Sequence, residues 1–177
     1  MEPDVDFRVG AATSDFGFLV LRLGAGATLV QAGLIKALGF GATVDFMEAG
    51  GWRAATLAAL MVTVAETLSG VALILGILAP LAACVAAAAM MDAWAATVSG
   101  SAFWSNPFDV PFLIAMAAIA LLFTGAGRLS LDHLLWARAQ WPGLVSVVLL
   151  IVAVAAAVAT WALLNGVNPL HLTAPTG

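Results

Sequence analysis

Three ionisable residues lie inside long apolar segments of the sequence, where bulk water is out of reach. They are Arg22, Glu66 and Asp92. On insertion scales a charged side chain at the centre of a membrane helix costs about 2.5–3.5 kcal/mol, so a position facing lipid is disfavoured. We therefore expect these side chains to face one another or a cavity inside the protein.

The rise of an α-helix predicts how deep each of these residues lies. At about 1.5 Å per residue, Glu66 is about 18 Å from either end of its segment, and Asp92 is about 18 Å from the start of its own. Consecutive segments run in opposite directions, so the two carboxylates can meet near the midplane. Arg22 lies about 10 Å into the first segment, and its long side chain can extend toward the midplane or away from it. The sequence thus predicts an intramembrane polar cluster of Arg22, Glu66 and Asp92.

Two interpretations of this cluster stay open. In the first, it is a hydrogen-bonded lock that fixes the register of the helices and does no chemistry. In the second, Glu66 or Asp92 takes up and releases protons beside a quinone or another small lipophilic molecule, since intramembrane carboxylates are enriched in proton relays and ligand sites. Neither interpretation assigns a catalytic residue.

The residues that would hold a redox centre or a metal ion are missing from the apolar segments. His133 and His171 lie outside them, the chain has no tyrosine, and the single cysteine, Cys84, cannot build a thiolate cage or a disulfide within one chain. Six lysines and arginines, a net charge of −4 and no basic cluster exclude a nucleic-acid partner. We expect no metal and no covalently bound cofactor. The candidate ligand is a quinone or a lipid.

The elements that position these residues are membrane helices. The chain is 63% hydrophobic and 9% charged, whereas soluble domains are about 45–50% apolar and about 25% charged. A bilayer core of about 30 Å needs roughly 20 helical residues, and that length predicts five spans. They lie near residues 15–38, 54–78, 80–99, 108–125 and 143–165. The predicted fold class is all-α, a polytopic membrane helical bundle forming one domain over 15–165, with tails at 1–14 and 166–177. The acidic start MEPDVDFR predicts no removed signal peptide.

Two further patterns predict how the helices are arranged. Small and polar residues form one stripe on the first span and another on the second, and we predict that these stripes pack together because small residues let helices approach closely. The stripes are Arg22, Gly26, Leu29, Gly33 and Lys36 on the first span, and Thr63, Glu66, Thr67 and Gly70 on the second. Ser130 can cap a helix over about 130–139 that lies in the membrane interface, with an ordinary polar loop as the alternative. The leucines 131, 134 and 135 would share one face of that helix, with Asp132, His133 and Arg138 toward the other.

The basic residues predict the orientation of the chain in the membrane. An odd number of spans puts the two termini on opposite sides. Arg8, Arg128 and Arg138 lie on the N-terminal side, and Lys36 and Arg53 lie on the other. Three against two favours a cytoplasmic N-terminus and a C-terminus outside.

Three segments resemble the DoxX family of small bacterial membrane proteins. They are LRLGAGATLVQAGLIKALGF in the first span, ETLSGVALILGILAPLAA across the second and third, and GAGRLSLD after the fourth. Together the resemblance covers roughly residues 16–135. The positions that match the family pattern are Arg22, Gly33, Lys36, Glu66, Gly76, Gly127, Arg128, Ser130 and Asp132.

The resemblance implies a four-helix DoxX-like core in the bacterial inner (plasma) membrane, to which this chain adds a fifth transmembrane helix. Members of the family are linked to oxidoreductase systems, including a subunit of a thiosulfate to quinone oxidoreductase and a membrane partner of detoxifying enzymes. The resemblance therefore implies an accessory subunit of a quinone-linked oxidoreductase or redox-detoxification assembly rather than a stand-alone enzyme. Its expected partners are the lipid bilayer and other membrane or membrane-associated subunits, or further copies of the chain. A small transporter or binding protein for a lipophilic or anionic molecule, and a homo-oligomeric scaffold, are the alternatives.

Overall fold

The computed structural model describes residues 4–172, with side chains from residue 13 onward. Over this range the chain is helical apart from turns and contains no strand. The helices are α1 (Asp4–Leu38), α2 (Phe40–Ala49), α3 (Ala55–Leu75), α4 (Ala79–Ser99), α5 (Val110–Thr124), α6 (Leu131–Trp136) and α7 (Gly143–Thr160), the last continued by one π-helical turn, Trp161–Asn165.

Four helical segments are long and apolar enough to cross a membrane, which confirms the all-α membrane fold. They are Thr13–Leu38, Ala55–Leu75, Ala79–Ser99 and Gly143–Asn165. The predicted fourth span, 108–125, forms a shorter apolar helix of 15 residues, α5. It begins after Asp109, whose side chain accepts a hydrogen bond from the Phe112 N–H, and it ends at Gly125, whose φ of 78° leaves the helical region. At about 1.5 Å per residue this helix is about 22 Å long.

Four of the helices form a closed ring, in which α1 contacts α3, α3 contacts α4, α4 contacts α5, and α5 contacts α1. A further long helix, α7, packs on the outside of this ring against α4 and α5. The core consists mainly of small residues of α4 and α5, such as Ala83, Ala87 and Ala118, which are fully buried. The bundle therefore has a four-helix centre with one added helix on its flank.

Hydrogen bonds made by the two loops that flank α5 show which ends of the bundle they lie at. The backbone N–H of Arg128, just after α5, donates to Asp15 Oδ1 at 2.9 Å. The Phe103 N–H, just before α5, donates to the carbonyl of His171 at 2.7 Å. The short helix α5 thus connects the two ends of the bundle, which we call the Asp15 end and the His171 end.

The two small-residue stripes pack against each other, as predicted. A Cβ atom on Gly26 would lie 2.7 Å from the carbonyl oxygen of Gly70, and a Cβ on Gly70 would lie 2.8 Å from the carbonyl oxygen of Gly26. A side chain on Gly33 would overlap Thr67 in the same way. Since the obstacles are largely backbone atoms that cannot move aside, α1 and α3 reach this separation only with glycine at the three positions.

The ends of the elements differ from the sequence predictions in three places. Helix α1 begins at Asp4, within the segment 1–14 that was predicted as a tail. Helix α2 was not predicted, although Phe40, Val44 and Met47 have the spacing of one helical face. The predicted helix 130–139 forms but ends earlier, at Trp136, because Ala137 adopts a positive φ of 53°.

Candidate functional site

A buried ion pair between α1 and α3 is the polar centre of the bundle. The Lys36 Nζ lies 2.6 Å from Glu66 Oε2, and Glu66 is only 2% exposed. Lys36 reaches this carboxylate because the Gly33–Thr67 contact, one turn before Lys36 on α1 and next to Glu66 on α3, brings the two backbones close together. The carboxylate of Glu66 is therefore compensated by a cation, and it faces protein rather than lipid.

The same ion pair lies in the wall of a groove between α3, α4 and α7. The groove has a volume of about 740 Å³ and is lined mostly by apolar side chains, with Lys36, Glu66 and Asp92 as its charged residues. It is open on the outside of the bundle, since Met61 and Val152 in its walls remain 44% and 48% exposed. Ligand pockets are commonly concave and apolar with a few polar groups at one place, which is the character of this groove.

Asp92 enters the groove from α4 and stands apart from the ion pair. Its side chain lines the groove together with Glu66, as the sequence analysis predicted for two carboxylates at similar depth. Among residues 13–172, no side chain or backbone group donates a hydrogen bond to its carboxylate, and no cation lies within ion-pair distance. A carboxylate without a partner in an apolar wall is unusual, because burying a polar group costs free energy unless it is hydrogen-bonded.

The groove is closed at the His171 end by contacts between α7 and the α2–α3 connection. Asn165 Nδ2 donates to the Gly50 carbonyl at 3.0 Å, and the Arg53 N–H donates to the Leu164 carbonyl at 2.7 Å. The rings of Trp52 and Trp161 meet edge to face, with 5.5 Å between their centroids. These contacts hold the π-helical end of α7 against the α2–α3 connection, while α3 and α7 stay apart along the groove.

Arg22 does not belong to the cluster with Glu66 and Asp92, so that part of the sequence prediction is wrong. It lies 14 residues before Lys36 on α1, a distance of about 21 Å along the helix axis. Its side chain extends to the Asp15 end, where Nη2 donates to the Leu129 carbonyl and the guanidinium fills the space beside Gly76. The sequence analysis allowed the Arg22 side chain to extend toward the midplane or away from it, and in the structure it extends away.

Asp132 connects α6 to the turn between α3 and α4. Its carboxylate is fully buried and accepts hydrogen bonds from the Leu78 N–H at 2.6 Å, the Ala79 N–H at 2.9 Å and Trp141 Nε1 at 3.3 Å. In return, its own N–H donates to the Gly76 carbonyl at 2.9 Å. The predicted outward polar face of this helix is therefore wrong for Asp132, because the unsatisfied N–H groups at the start of α4 require an acceptor.

The outer face of α6 is apolar instead. Leu134 and Leu135 are 76% and 56% exposed, whereas Asp132 is buried beneath them. Ser130 caps the helix as predicted, because its Oγ accepts a hydrogen bond from the His133 N–H at 3.2 Å.

The remaining residues singled out by the family pattern also lie at the Asp15 end. Gly127 has a φ of 74°, and its N–H donates to the Ala139 carbonyl at 3.0 Å. Arg128 binds Asp15 through its backbone N–H, while its exposed side chain lies 3.9 Å from the same carboxylate. The nine family-pattern residues therefore form two groups. One group lies at the α1–α3 ion pair and the other organises the Asp15 end. Lys36 and Glu66 form the ion pair in the groove wall, and Gly33 packs beside it. The residues at the Asp15 end are Arg22, Gly76, Gly127, Arg128, Ser130 and Asp132.

The sequence analysis left two groove residues outside the predicted polar cluster. Lys36 was counted as a residue of the loop side of the membrane, although it occupies the same stripe as Gly33 and follows Gly33 by one turn. Trp52 was not singled out, and no local pattern marks it, because its place beside Trp161 depends on contacts between distant parts of the chain.

A comparison with protein families bears on this arrangement. Residues 17–100 match the DoxX family model. This DoxX region contains α3 and α4 entirely and most of α1, together with Lys36, Glu66 and Asp92, so the resemblance is confirmed for the part of the chain that carries the polar side of the groove. The match ends before α5, and the segment GAGRLSLD and helix α7 lie outside it. No curated protein and no solved structure matches the chain.

Proposed function

We propose that this DoxX-family membrane protein binds a lipophilic small molecule in the groove and serves as an accessory subunit of a quinone-linked oxidoreductase assembly. The proposal rests on one observation: an apolar groove of about 740 Å³ has the Lys36–Glu66 ion pair and the Asp92 carboxylate in its wall. The volume is within the range of about 300–1,000 Å³ that is usual for small-molecule sites.

A quinone fits the chemistry of this groove. Its carbonyl oxygens accept hydrogen bonds, and the Lys36 ammonium, which is 27% exposed in its side chain, has protons beyond the one directed at Glu66. Its apolar tail suits the wall formed by side chains such as Val85 and Val152. In this proposal the chain binds and orients the molecule, while a partner subunit supplies the electrons.

Filling the groove tests whether a quinone binds there. Ala156 on α7 is exposed and lines the groove, so Ala156→Phe is expected to weaken binding of a short-chain ubiquinone analogue at least tenfold without disturbing the core. Its neighbour Ala155 is equally exposed but does not line the groove, and Ala155→Phe is the matched control. Binding is read from quenching of tryptophan fluorescence in mild detergent, since Trp52 is part of the groove wall. Equal affinities of the two variants would contradict a groove site.

The role as a subunit is tested on the same preparation. Native mass spectrometry from mild detergent is expected to report a bound quinone or lipid together with co-purifying membrane subunits. Monomers that carry neither a ligand nor a partner would contradict both parts of the proposal. Monomers that carry only a ligand would favour a free-standing binding protein.

We propose a location in the bacterial inner membrane with the Asp15 end in the cytoplasm. Arg128 and Arg138 lie at this end and Arg22 points toward it, whereas Lys36 is withdrawn from the opposite side by its ion pair and leaves Arg53 there. The asymmetry of basic residues is thus greater than the sequence count of three against two.

Cysteine labelling tests this orientation. In a Cys84→Ser background, a membrane-impermeant maleimide is expected to label Asn168→Cys at the His171 end from outside intact cells. Gln140→Cys at the Asp15 end is expected to react only after the membrane is opened. Both positions are exposed on the protein surface, so the reverse labelling pattern would contradict the proposed orientation.

A further inference from the structure

The groove has more acidic than basic side chains. Its lining includes one basic side chain, Lys36, and two carboxyl side chains, Glu66 and Asp92. Lys36 is bound to Glu66 at 2.6 Å, which leaves the Asp92 carboxylate without a counter-charge among residues 13–172. A cation that reaches Asp92 favours the charged form of its carboxylate, because the attraction between opposite charges is weakly screened in a low-dielectric wall.

The groove also has room for an apolar tail beside this carboxylate. A second cavity of about 710 Å³ runs between α3 and α4 and is lined by Ile77 and Leu78 at the Asp15 end. It shares Met61, Leu81 and Val85 with the groove, so the two form a continuous apolar surface along the bundle. Asp92 and Leu81 are 11 residues apart on α4, about 16 Å along its axis, which is room for an extended alkyl tail.

We infer that the groove also binds amphiphilic cations, with the alkyl tail along the α3–α4 surface and the positive head group at Asp92. This inference rests on the proposed function only in that the groove must admit a ligand. It adds a ligand class that is selected by charge, whereas a neutral quinone is selected by hydrogen bonds and shape. Charge complementarity is the reason for choosing this occupant over an anionic one, since a carboxylate or sulfate head group would meet the unpaired Asp92 with like charge.

A pair of probes that differ only in the head group tests the inference. Dodecylammonium and dodecanol have the same tail, and their binding to the protein in nanodiscs is measured by competition with the quenching quinone analogue. The expected result is at least tenfold tighter binding of dodecylammonium. In Asp92→Asn, which has nearly the same shape, the two probes are expected to bind within about twofold of each other, whereas Asp92→Glu retains the preference.

Asp45→Asn is the matched control, because Asp45 is an exposed carboxylate on α2 outside the groove. This variant is expected to keep the preference for dodecylammonium. The inference is overturned if wild-type protein binds the two probes equally, or if Asp92→Asn keeps the tenfold preference. Quinone binding is judged separately, from the fluorescence titration. If neither probe displaces quinone although quinone binds, the inference is overturned alone. If quinone does not bind either, the groove is not a ligand site and both proposals are overturned.

Discussion

Replacing Lys36 by methionine is expected to lower the free energy of unfolding by about 3–5 kcal/mol, because it leaves Glu66 charged and without a partner in a buried position. The measurement is thermal or denaturant unfolding of the purified protein in detergent. The double variant Lys36→Met/Glu66→Met is expected to recover most of this loss, since an ion pair that is replaced as a whole leaves no uncompensated charge.

Arg53→Met is the control for this prediction. Arg53 is an exposed residue in the α2–α3 connection that forms no ion pair with residues 13–172, so its side chain is expected to contribute less than about 0.5 kcal/mol. If Lys36→Met lowered the free energy of unfolding no more than Arg53→Met, the ion pair would not stabilise the bundle. The buried Glu66 carboxylate would then be stabilised by groups other than Lys36. If the double variant were as unstable as the single one, the loss would come from packing and not from charge.

Replacing Asp132 by alanine is expected to have a comparable effect, a loss of about 3–5 kcal/mol. The substitution removes an acceptor of three N–H groups from a fully buried site, and hydrogen bonds to a charged group contribute about 1.5–3 kcal/mol each before the site relaxes. The start of α4 and the indole of Trp141 would lose their acceptor together. Unfolding in detergent measures the loss, and limited proteolysis between α5 and α7 reports whether α6 detaches.

Asp109→Ala is the matched control for Asp132→Ala. Asp109 also accepts a hydrogen bond at the start of a helix, but from a single N–H, that of Phe112 at 3.0 Å. Loss of an ordinary N-terminal cap costs about 0.5–2 kcal/mol. Equal losses in the two variants would show that Asp132 acts as a simple cap and does not join α6 to the α3–α4 turn.

Much of the fold follows from local features of the sequence. Except at the start of α1, which lies at Asp4 and not near residue 15, the long apolar segments predict the long helices to within a few residues, because length and hydropathy are properties of each segment alone. The contact of Gly26 with Gly70 was predictable for the same reason, since the spacing of small residues marks one face of each helix. Helix α5 is shorter than predicted because Asp109 caps its start and Gly125, with a positive φ, ends it. Both signals are local, but the apolar residues on either side of them extended the predicted span.

The candidate site was only partly predictable. Glu66 and Asp92 lie at similar depth because the helical rise fixes depth, and both reach the groove. The partner of Glu66 could not be chosen in this way, since Arg22 and Lys36 occupy the same stripe and their long side chains can extend toward either end of the helix. Asp132 depends on the Leu78 N–H, 54 residues earlier in the chain, so no local pattern indicates its burial.

Helix α7 lies against α4 and α5, and among residues 13–172 its hydrogen bonds to the α2–α3 connection lie at the His171 end, so the mouth of the groove opens on the side of the bundle. If the groove binds a lipophilic ligand as proposed, that ligand arrives by diffusion in the plane of the membrane, and the concentration that governs occupancy is the one dissolved in the lipid. Apparent affinities referred to the aqueous phase will therefore rise with the partition coefficient of the ligand even where the contacts with the protein are unchanged. Weak intrinsic binding is enough for such a site to be filled by a molecule that the bilayer has already concentrated.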